Sequence, residues 1–297
     1  MKKLAIIILT KNKLDLMYKL LNSIVFNTKY DMGHMIVYVA DTGSTKKNKA
    51  LLKNHLEYLN NEFGLMSKLI EYKYYNFASV NNDVVKNHVD SDTELILLCN
   101  NDVELINDAI TEVVNEYMIR NGIVGTVGAR LLYDDLKVQH VGIGMKEGLP
   151  FHLFRKSYFP DTLKGKVGKV WGNTGAFLLT SYDLWNKIGG LNEKYVDCFE
   201  DVEYNLRCME LGFPNYCAFN AICYHKESQT RKGTVSKDDI KTLLEFYKSI
   251  AAKKEQKEDE TTDKKEETGK EESTDKGKKK SGAKKIKKSP KKKTGTS

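Results

Sequence analysis

The first hundred residues alternate between short apolar runs and segments of helical spacing, and this alternation most constrains the fold. Runs of about six apolar residues are typical of strands that are buried on both faces. Between them, apolar residues recur every three or four positions, as in a helix packed on a sheet. The predicted strands are residues 4–9, 35–40, 67–72 and 94–99, and the predicted helices are residues 14–26, 46–63 and 79–87. The pattern predicts a mostly parallel α/β sheet with helices on both faces.

The rest of the chain predicts more elements around an irregular middle. The segment 133–172 is rich in Gly, Lys and aromatic residues, and we expect it to be irregular. The further predicted helices are residues 106–120, 182–188, 201–211 and 237–252, and the further predicted strands are residues 123–132, 176–180 and 221–224. We expect one domain over residues 1–252, with a nucleotide-binding half (1–102) and an acceptor-binding half (103–252).

Positive charge is concentrated at the end of the chain. The net charge is +8, but residues 253–297 hold 17 Lys and Arg against 10 Asp and Glu, which leaves the preceding 252 residues near neutral. This tail has hardly any apolar residues, so we predict that it is disordered. Its Lys-rich end is expected to bind polyanions weakly. Since the tail alone carries the basic character, the sequence disfavours a nucleic-acid function for the whole chain.

The cysteines and the apolar runs indicate the compartment. The five cysteines form no CxxC pair, which in a chain of this length favours reduced thiols. The N-terminal apolar run of six residues is too short for a signal peptide, and no run approaches the ~18 apolar residues of a membrane span. We therefore expect a cytoplasmic protein without a transmembrane segment, either free or peripheral at a membrane surface.

Polar clusters follow three of the predicted strands. Thr10-Lys-Asn, Asp41-Thr-Gly-Ser and Asn100-Asn-Asp each stand at the carboxyl end of a strand. Ligands bind at this edge in open α/β sheets. A carboxylate there could hold a hard divalent cation, which takes one or two protein carboxylates together with substrate phosphates. The same residues also suit turns and helix caps, so both interpretations stay open.

Two later clusters contain further candidates. Glu200 and Asp201 open a predicted helix, where the helix dipole favours adjacent carboxylates and where a general base would be rigidly held. His225 follows a buried strand, with Glu227 and Arg231 close behind it. A single histidine is usually structural, but here a histidine, an acid and an arginine gather at one strand end.

The order of these motifs resembles the family 2 glycosyltransferases of GT-A fold, in particular the bacterial group that builds cell-surface polysaccharides. The resemblance runs in one order over about residues 3–233. The matching segments are IIILTKN, DTGST, NFASVNN, NND, QHVGIGMKEGLPFH, NTGAFLLTSYDLWNKIGGLNE, FEDVEYNLRCMELGF and YHKESQTRKG. It implies the GT-A (nucleotide-diphospho-sugar transferase) fold, whose sheet is Rossmann-like and mostly parallel.

The resemblance also implies the catalytic and metal residues. Asp201 would be the general base, with Glu200 beside it. Asp102 would hold a divalent metal, Mn²⁺ or Mg²⁺, that bridges the donor diphosphate, and His225 would be a further metal or diphosphate contact. The triplet here is Asn-Asn-Asp, so Asn100 stands where the family has a first carboxylate. This departure removes one negative charge from the metal site.

Donor-binding residues are implied in the same way. Thr10 and Asp41 would contact the nucleobase and ribose, and Asn100 would lie near the ribose or a metal-bound water. Trp171, Asn173 and Gly175 would line the donor sugar and acceptor. The full donor-binding set is Thr10, Asp41, Asn76, Asn100, Asn101, Trp171, Asn173, Gly175 and Arg231.

The sequence therefore predicts an inverting glycosyltransferase. It would move a sugar from a UDP- or dTDP-linked donor to a hydroxyl of a glycan or glycoconjugate. One alternative is a GT-A-like nucleotidyltransferase, which would lack the acidic pair Glu200–Asp201 at a helix start. Another is a catalytically decayed transferase that only binds glycan or nucleotide. Asn100 favours this second alternative, and the intact Glu200–Asp201 pair disfavours it.

Overall fold

The structure is a computed structural model of the 297-residue chain, and it describes residues 1–226 and 236–253. The strands are β1 (Leu4–Thr10), β2 (Met35–Asp41), β3 (Met66–Glu71), β4 (Leu95–Asn100), β5 (Val103–Leu105), β6 (Val127–Leu132), β7 (Val138–His140), β8 (Ile143–Lys146), β9 (Leu149–His152), β10 (Val167–Val170), β11 (Phe177–Ser181) and β12 (Asn215–His225). The helices are α1 (Leu14–Asn27), α2 (Lys46–Phe63), α3 (Phe77–Asn87), α4 (Ala109–Ile119), α5 (Tyr182–Ile188) and α6 (Glu200–Glu210), and residues 237–253 are also helical.

Ten of these strands form one sheet. Eight lie in the order β10-β12-β6-β11-β4-β1-β2-β3, while β5 pairs with β12 and β7 pairs with β6. Neighbours β4, β1, β2 and β3 are parallel, as are β6 and β12, whereas β11 runs antiparallel between β4 and β6. Strands β8 and β9 form a separate two-stranded sheet. The expected mostly parallel α/β sheet is confirmed.

The central strands are apolar up to their last residue because both faces of the sheet are covered. All seven residues of β1 and all seven of β2 are buried. Ile6 belongs to the core formed with α1, α2 and α4, whereas its neighbour Ile7 belongs to the core formed with α3, α5 and α6. This alternation follows from the two-residue period of a strand. It leaves the strand ends as the places where polar side chains can lie.

The prediction that residues 133–172 are irregular is wrong. They contain β7, β8, β9 and β10, each only three or four residues long. Pairing with β6, with one another and with β12 holds these strands, rather than a sequence pattern of their own. The last strand, β12, also begins at Asn215 instead of residue 221, and the short β5 was not predicted.

Residues 1–244 form one compact unit, and residues 245–297 form a second unit, of which residues 245–253 are described and helical. Among the residues that the structure describes, every helix is too short or too polar to cross a membrane. The predicted boundary at residue 252 and the division into two halves stay predictions. The predicted disordered tail lies outside the described residues, apart from Lys253.

Candidate active site

The polar clusters predicted from the sequence lie side by side at one edge of the large sheet. In the strand register, Thr10 on β1 is opposite Asp41 on β2, and Leu9 is opposite Asn100 on β4. The Oγ1 atom of Thr10 accepts a hydrogen bond from Nδ2 of Asn101 at 3.0 Å. The parallel register therefore brings three separate sequence motifs to one place.

Asp41 has a carboxylate with one satisfied and one unsatisfied oxygen. Its Oδ1 atom accepts the backbone N–H groups of Gly43 at 3.0 Å and Ser44 at 2.8 Å. Its Oδ2 atom is buried and has no hydrogen-bond partner among the described residues. A buried acceptor without a donor costs on the order of 1–3 kcal/mol. A hydroxyl or N–H group of a ligand would remove that cost.

Asp102 and His225 form a close pair beside this cluster. The Nε2 atom of His225 lies 3.2 Å from Oδ1 of Asp102 and 3.4 Å from Nδ2 of Asn100. Each side chain of the Asp102–His225 pair is about 10% exposed. On the other side of the ring, Nδ1 of His225 forms a short hydrogen bond with Oε1 of Gln139. The imidazole is therefore held at Nδ1, while its Nε2 atom faces Asp102 and Asn100.

This pair fits a divalent cation that needs only two protein ligands. Two ligands bound at about 2.1 Å and at right angles lie about 3 Å apart, which the Asp102–His225 distance matches. The residues that the structure describes contain no cluster of three or more His, Cys, Asp or Glu side chains able to hold a metal. Mg²⁺ and similar hard cations commonly complete such a site with water and substrate phosphates.

Asp201 lies at the start of α6, which begins at Glu200. Its Oδ2 atom accepts the N–H of Gly175 at 2.8 Å, and its Oδ1 atom accepts the N–H of Val202 at 2.7 Å. Ala176, the residue after Gly175, accepts the N–H of Asn100 at 3.0 Å through its carbonyl. The backbone of residues 175–176 thus connects the Asp201 carboxylate directly to the end of β4, where the NND triplet begins.

Gly175 and Glu200 complete the surroundings of Asp201. A Cβ atom on Gly175 would lie 3.1 Å from the ring of Phe77, so the close approach of α3 favours glycine there. Glu200 is only 5% exposed, and it interacts with another group of the protein. Asp201 is partly exposed. Of the two adjacent carboxylates, Asp201 is therefore the more accessible to a ligand.

A buried amide network holds the segment 171–175 against α6. The Asn205 side chain accepts the N–H of Asn173 at 3.0 Å and donates to the carbonyls of Asn173 at 2.8 Å and Asp201 at 2.6 Å. Asn215 donates to the carbonyl of Trp171 at 2.9 Å. This network fixes the backbone around Gly175. The ring of Trp171, which is half exposed, is left facing solvent.

Two of the predicted donor-binding amides are engaged inside the protein. Asn173 is fully buried, and its Nδ2 donates to Oγ1 of Thr126 and to the carbonyl of Tyr216. Asn76 caps α3 by accepting the N–H of Ser79 and donates to the carbonyl of Tyr195. Their positions fit supporting roles. The predicted site residue Arg231 lies outside the described residues, as does Glu227.

Sequence reasoning did not assign roles to Gln139, Asn205 or the histidine pair His140–His152. Gln139 and His140 are buried on β7. Buried polar residues in a short strand are the signal that could have marked them, because such groups need specific partners. That signal becomes visible only once β7 is known to be a buried strand, which the Gly- and Lys-rich sequence around it does not indicate.

Two known proteins are similar to the chain over about three quarters of its length. No protein family model matches the chain. It is 28% identical over 244 residues to the O-antigen biosynthesis protein RfbC of Myxococcus xanthus and 27% identical over 234 residues to the uncharacterized protein y4gI of Sinorhizobium fredii. These matches cover 77% and 76% of the chain. The chain spans only 18% and 25% of the length of those two relatives.

Solved structures share the architecture at low sequence identity. GalNAc-T7 with UDP, GalNAc and Mn²⁺ superposes with a TM-score of 0.63 at 9% identity over 83% of this chain and 48% of its own. The chain has the GT-A glycosyltransferase fold. The mannosyltransferase PcManGT from Pyrobaculum calidifontis, solved with GDP-Man and Mn²⁺, gives 0.54 at 12% identity over 82% and 68% of the two chains. S. aureus TarS gives 0.57 at 14% identity over 82% and 38%. At these identities the GT-A likeness concerns the fold.

Proposed function

We propose that this GT-A chain is an inverting glycosyltransferase that transfers a sugar from a nucleotide-diphospho donor to a hydroxyl of a glycan or glycoconjugate. The observation that carries the proposal is that three groups of side chains lie at one edge of the sheet. They are Asp41 with its unpaired Oδ2 atom, the pair Asp102–His225 with the spacing of two cation ligands, and Asp201, whose carboxylate is linked through residues 175–176 to the end of β4. The nucleotides and Mn²⁺ in two of the structural neighbours and the O-antigen role of the M. xanthus relative support it.

Asp41, Thr10 and Asn101 would bind the nucleoside of the donor. The free Oδ2 of Asp41 suits a ribose hydroxyl or a base N–H, both of which donate hydrogen bonds. Its Oδ1 is already held by the turn after β2, so the carboxylate has a fixed direction. We assign the donor to the UDP- or dTDP-sugar class, in line with the resemblance found in the sequence.

Asp102 and His225 would hold Mn²⁺ or Mg²⁺ against the diphosphate. When bound, such a cation neutralises charge on the departing nucleoside diphosphate. Asn100 contributes an amide where a second carboxylate would add another negative charge. The two protein ligands alone would therefore bind the cation weakly, and the donor diphosphate would complete the site.

Asp201 would accept the proton of the incoming hydroxyl. The N–H groups of Gly175 and Val202 fix its carboxylate at the helix start, which gives a base with a defined position. A base on the face of the sugar opposite the leaving diphosphate produces a single displacement, and a single displacement inverts the anomeric carbon. The exposed ring of Trp171 is placed in the segment that leads to Gly175 and would pack on the sugar or the acceptor.

The test is a hydrolysis screen of nucleotide sugars with Mn²⁺ or Mg²⁺, because slow donor hydrolysis identifies the donor without knowledge of the acceptor. We expect one nucleotide class to be hydrolysed, and Asp201→Asn to lower the rate by ~10²–10⁴-fold while the donor still binds. Asp183→Asn is the matched control. Asp183 is exposed at the start of α5, two residues after Ser181, which pairs with Leu95 at the amino end of β4.

Three results would contradict parts of the proposal. If no nucleotide sugar binds or is hydrolysed, the transferase function is wrong. If a donor binds without any turnover, the chain is a decayed transferase that binds nucleotide or glycan. If Asp201→Asn stays within a few-fold of the parent rate, the base is another residue, and Glu200 is the next candidate.

A further inference from the structure

We propose that Gln139 is a positioning residue that holds His225 in the tautomer with the proton on Nδ1, so that the Nε2 lone pair stays available to the divalent cation shared with Asp102. The inference rests on the proposed function for the identity of the cation. The tautomer itself follows from the hydrogen bonds of this chain and can be measured without any cation.

The backbone of β7 aims Gln139 at His225. Leu131 on β6 pairs with His140, and Leu132 pairs with Val138, so Gln139 is the extra residue of a β-bulge. Bulges redirect a side chain relative to its strand. The side chain of Gln139 is 3% exposed and reaches the end of β12, where His225 lies. Without the bulge, Gln139 would pair with β6 in the ordinary register.

Two hydrogen bonds fix the orientation of the Gln139 amide. Its Nε2 donates to the backbone carbonyl of His225 at 3.0 Å, which requires the NH₂ group on that side. The carbonyl oxygen Oε1 then faces Nδ1 of His225 in a short hydrogen bond. A flipped amide would place oxygen against oxygen. Because Oε1 only accepts, Nδ1 of His225 must carry the hydrogen.

The consequence is an Nε2 lone pair directed at Asp102. In the neutral ring only one nitrogen is protonated, so a proton on Nδ1 leaves Nε2 as a ligand atom. Nε2 lies 3.2 Å from the Asp102 carboxylate, and a lone pair beside a carboxylate is unfavourable until a cation lies between them. Histidine ligands of metals commonly have their other nitrogen fixed by such a second partner.

Removing Gln139 should reverse the tautomer. Without an acceptor at Nδ1, the strongest acceptor near the ring is the Asp102 carboxylate, and the hydrogen would move to Nε2 to donate to it. That hydrogen would occupy the position that the cation needs. Loss of such a partner typically lowers metal affinity 10–100-fold.

The experiment compares the full chain with Gln139→Met and Gln139→Glu. Both variants lose the hydrogen bond to the His225 carbonyl, so a purely structural effect is common to them. Only Gln139→Glu keeps an acceptor for Nδ1. Ring ¹⁵N spectra of histidine-labelled, cation-free protein report the tautomer, with His225 assigned by its loss in His225→Gln. Mn²⁺ affinity is measured in parallel from the electron paramagnetic resonance signal of free Mn²⁺.

We expect a protonated Nδ1 in the parent and in Gln139→Glu, and a protonated Nε2 in Gln139→Met. We expect Mn²⁺ affinity to fall 10–100-fold in Gln139→Met and clearly less in Gln139→Glu. A parent protein with the hydrogen on Nε2 overturns the inference without any variant. So does Gln139→Met with unchanged tautomer and affinity. If the parent shows the expected tautomer but binds neither Mn²⁺ nor a nucleotide sugar, the proposed function fails and the tautomer assignment stands.

Discussion

At the scale of single residues, the unpaired oxygen of Asp41 makes a direct prediction about donor binding. Asp41→Asn can keep the hydrogen bonds from Gly43 and Ser44 through Oδ1 but replaces the free Oδ2 acceptor by an NH₂ donor. If Oδ2 accepts from the nucleoside, nucleotide affinity should fall by roughly 10–150-fold, the value of one charge-assisted hydrogen bond. Calorimetric titration with UDP and dTDP measures it.

Asp41→Asn also makes a prediction for the protein without a bound nucleotide. Asp41→Asn replaces a buried, unpaired carboxylate oxygen by an unpaired but neutral NH₂ group, which costs less to bury, so the thermal midpoint of the free protein should stay constant or rise. Unchanged nucleotide affinity would mean that the Asp41 carboxylate serves only the turn at Gly43 and Ser44. Asp183→Asn controls for a general effect of removing one negative charge, because Asp183 lies near the amino end of β4, opposite to the carboxyl strand ends where Asp41 lies.

The sequence indicates which polar residues stand at strand ends. It does not indicate which asparagine side chains form hydrogen bonds inside the protein. Thr10, Asp41 and Asp102 could be predicted because a buried parallel strand must end at one edge. Asn173 and Asn76 stand in equally suggestive motifs, yet their amides bond inside the protein. Asparagine serves caps, turns and ligands with the same atoms, so only the fold distinguishes these uses.

At the scale of secondary-structure elements, Asp239 in the last described helix holds the loop that leads into α6. Its fully buried carboxylate accepts the backbone N–H groups of residues 196, 197 and 198 at 2.9, 2.8 and 3.0 Å. Asp239→Asn replaces one accepting oxygen by a donor that faces those N–H groups. We expect the free energy of unfolding to fall by about 1.5–3 kcal/mol, as for hydrogen bonds to a charged group.

A matched control lies next to Asp239 in the chain. Asp238 is exposed on the same helical turn, so Asp238→Asn should leave the free energy of unfolding within about 0.5 kcal/mol of the parent. Urea titration of both variants makes the comparison. Equal stability of the two would show that the three N–H groups find other partners and that this loop does not depend on Asp239.

The contact between β7 and β9 predicts a pH-dependent stability. His140 is fully buried, and its Nδ1 lies 2.8 Å from Nδ1 of His152 on β9. Burial, together with His152 and His225, lowers the pKa of His140 well below its usual value of 6.5, against a smaller raising effect of Asn173. The unfolded chain therefore binds this proton at a higher pH than the folded protein does.

The stabilising contribution of the neutral His140 is thus complete above about pH 6.5 and is lost as the pH falls below it. The slope contributed by one proton is at most about 1.4 kcal/mol per pH unit. His140→Gln should flatten the decrease in the free energy of unfolding between pH 6.5 and 5, whereas His88→Gln, at a partly exposed helix end, should not. Parallel slopes in the parent and His140→Gln would contradict this prediction.

The short strands β7 and β10 are harder to predict from the sequence than the central strands. Strands β1 and β2 each begin with six consecutive apolar residues and can be recognised by themselves. By contrast, β7 owes its existence to a bulged pairing with β6, and β10 to pairing with the early part of β12. Such strands are specified by partners distant in sequence. The position of Gln139 beside His225 follows from that bulge, so the sequence motif alone could not place it.

At the scale of the whole molecule, one continuous sheet assembles the site. The strand ends of β1, β2 and β4 bring together the residues we propose for the nucleoside and the cation, and β11 and α6 bring Asp201 to the same edge. The last strand, β12, adds His225 from 125 positions beyond Asn100. All of these residues belong to the compact unit of residues 1–244. The chemistry we propose therefore needs nothing from the Lys-rich end of the chain.

The final prediction concerns that end. Residues 253–297 lack an apolar pattern and carry an excess of seven positive charges, so they should contribute little to folding and should attract polyanions. We expect a chain that ends at Ala252 to keep its thermal midpoint within about 2 °C and its donor hydrolysis within about two-fold. The full chain should bind phosphatidylserine vesicles or nucleic acid more tightly, with up to ~1 kcal/mol from each Lys near an anionic surface. At 1 M salt the Debye length is about 3 Å, so this difference should vanish. A shortened chain that melts much lower or loses hydrolysis would show that residues beyond 252 take part in the folded domain.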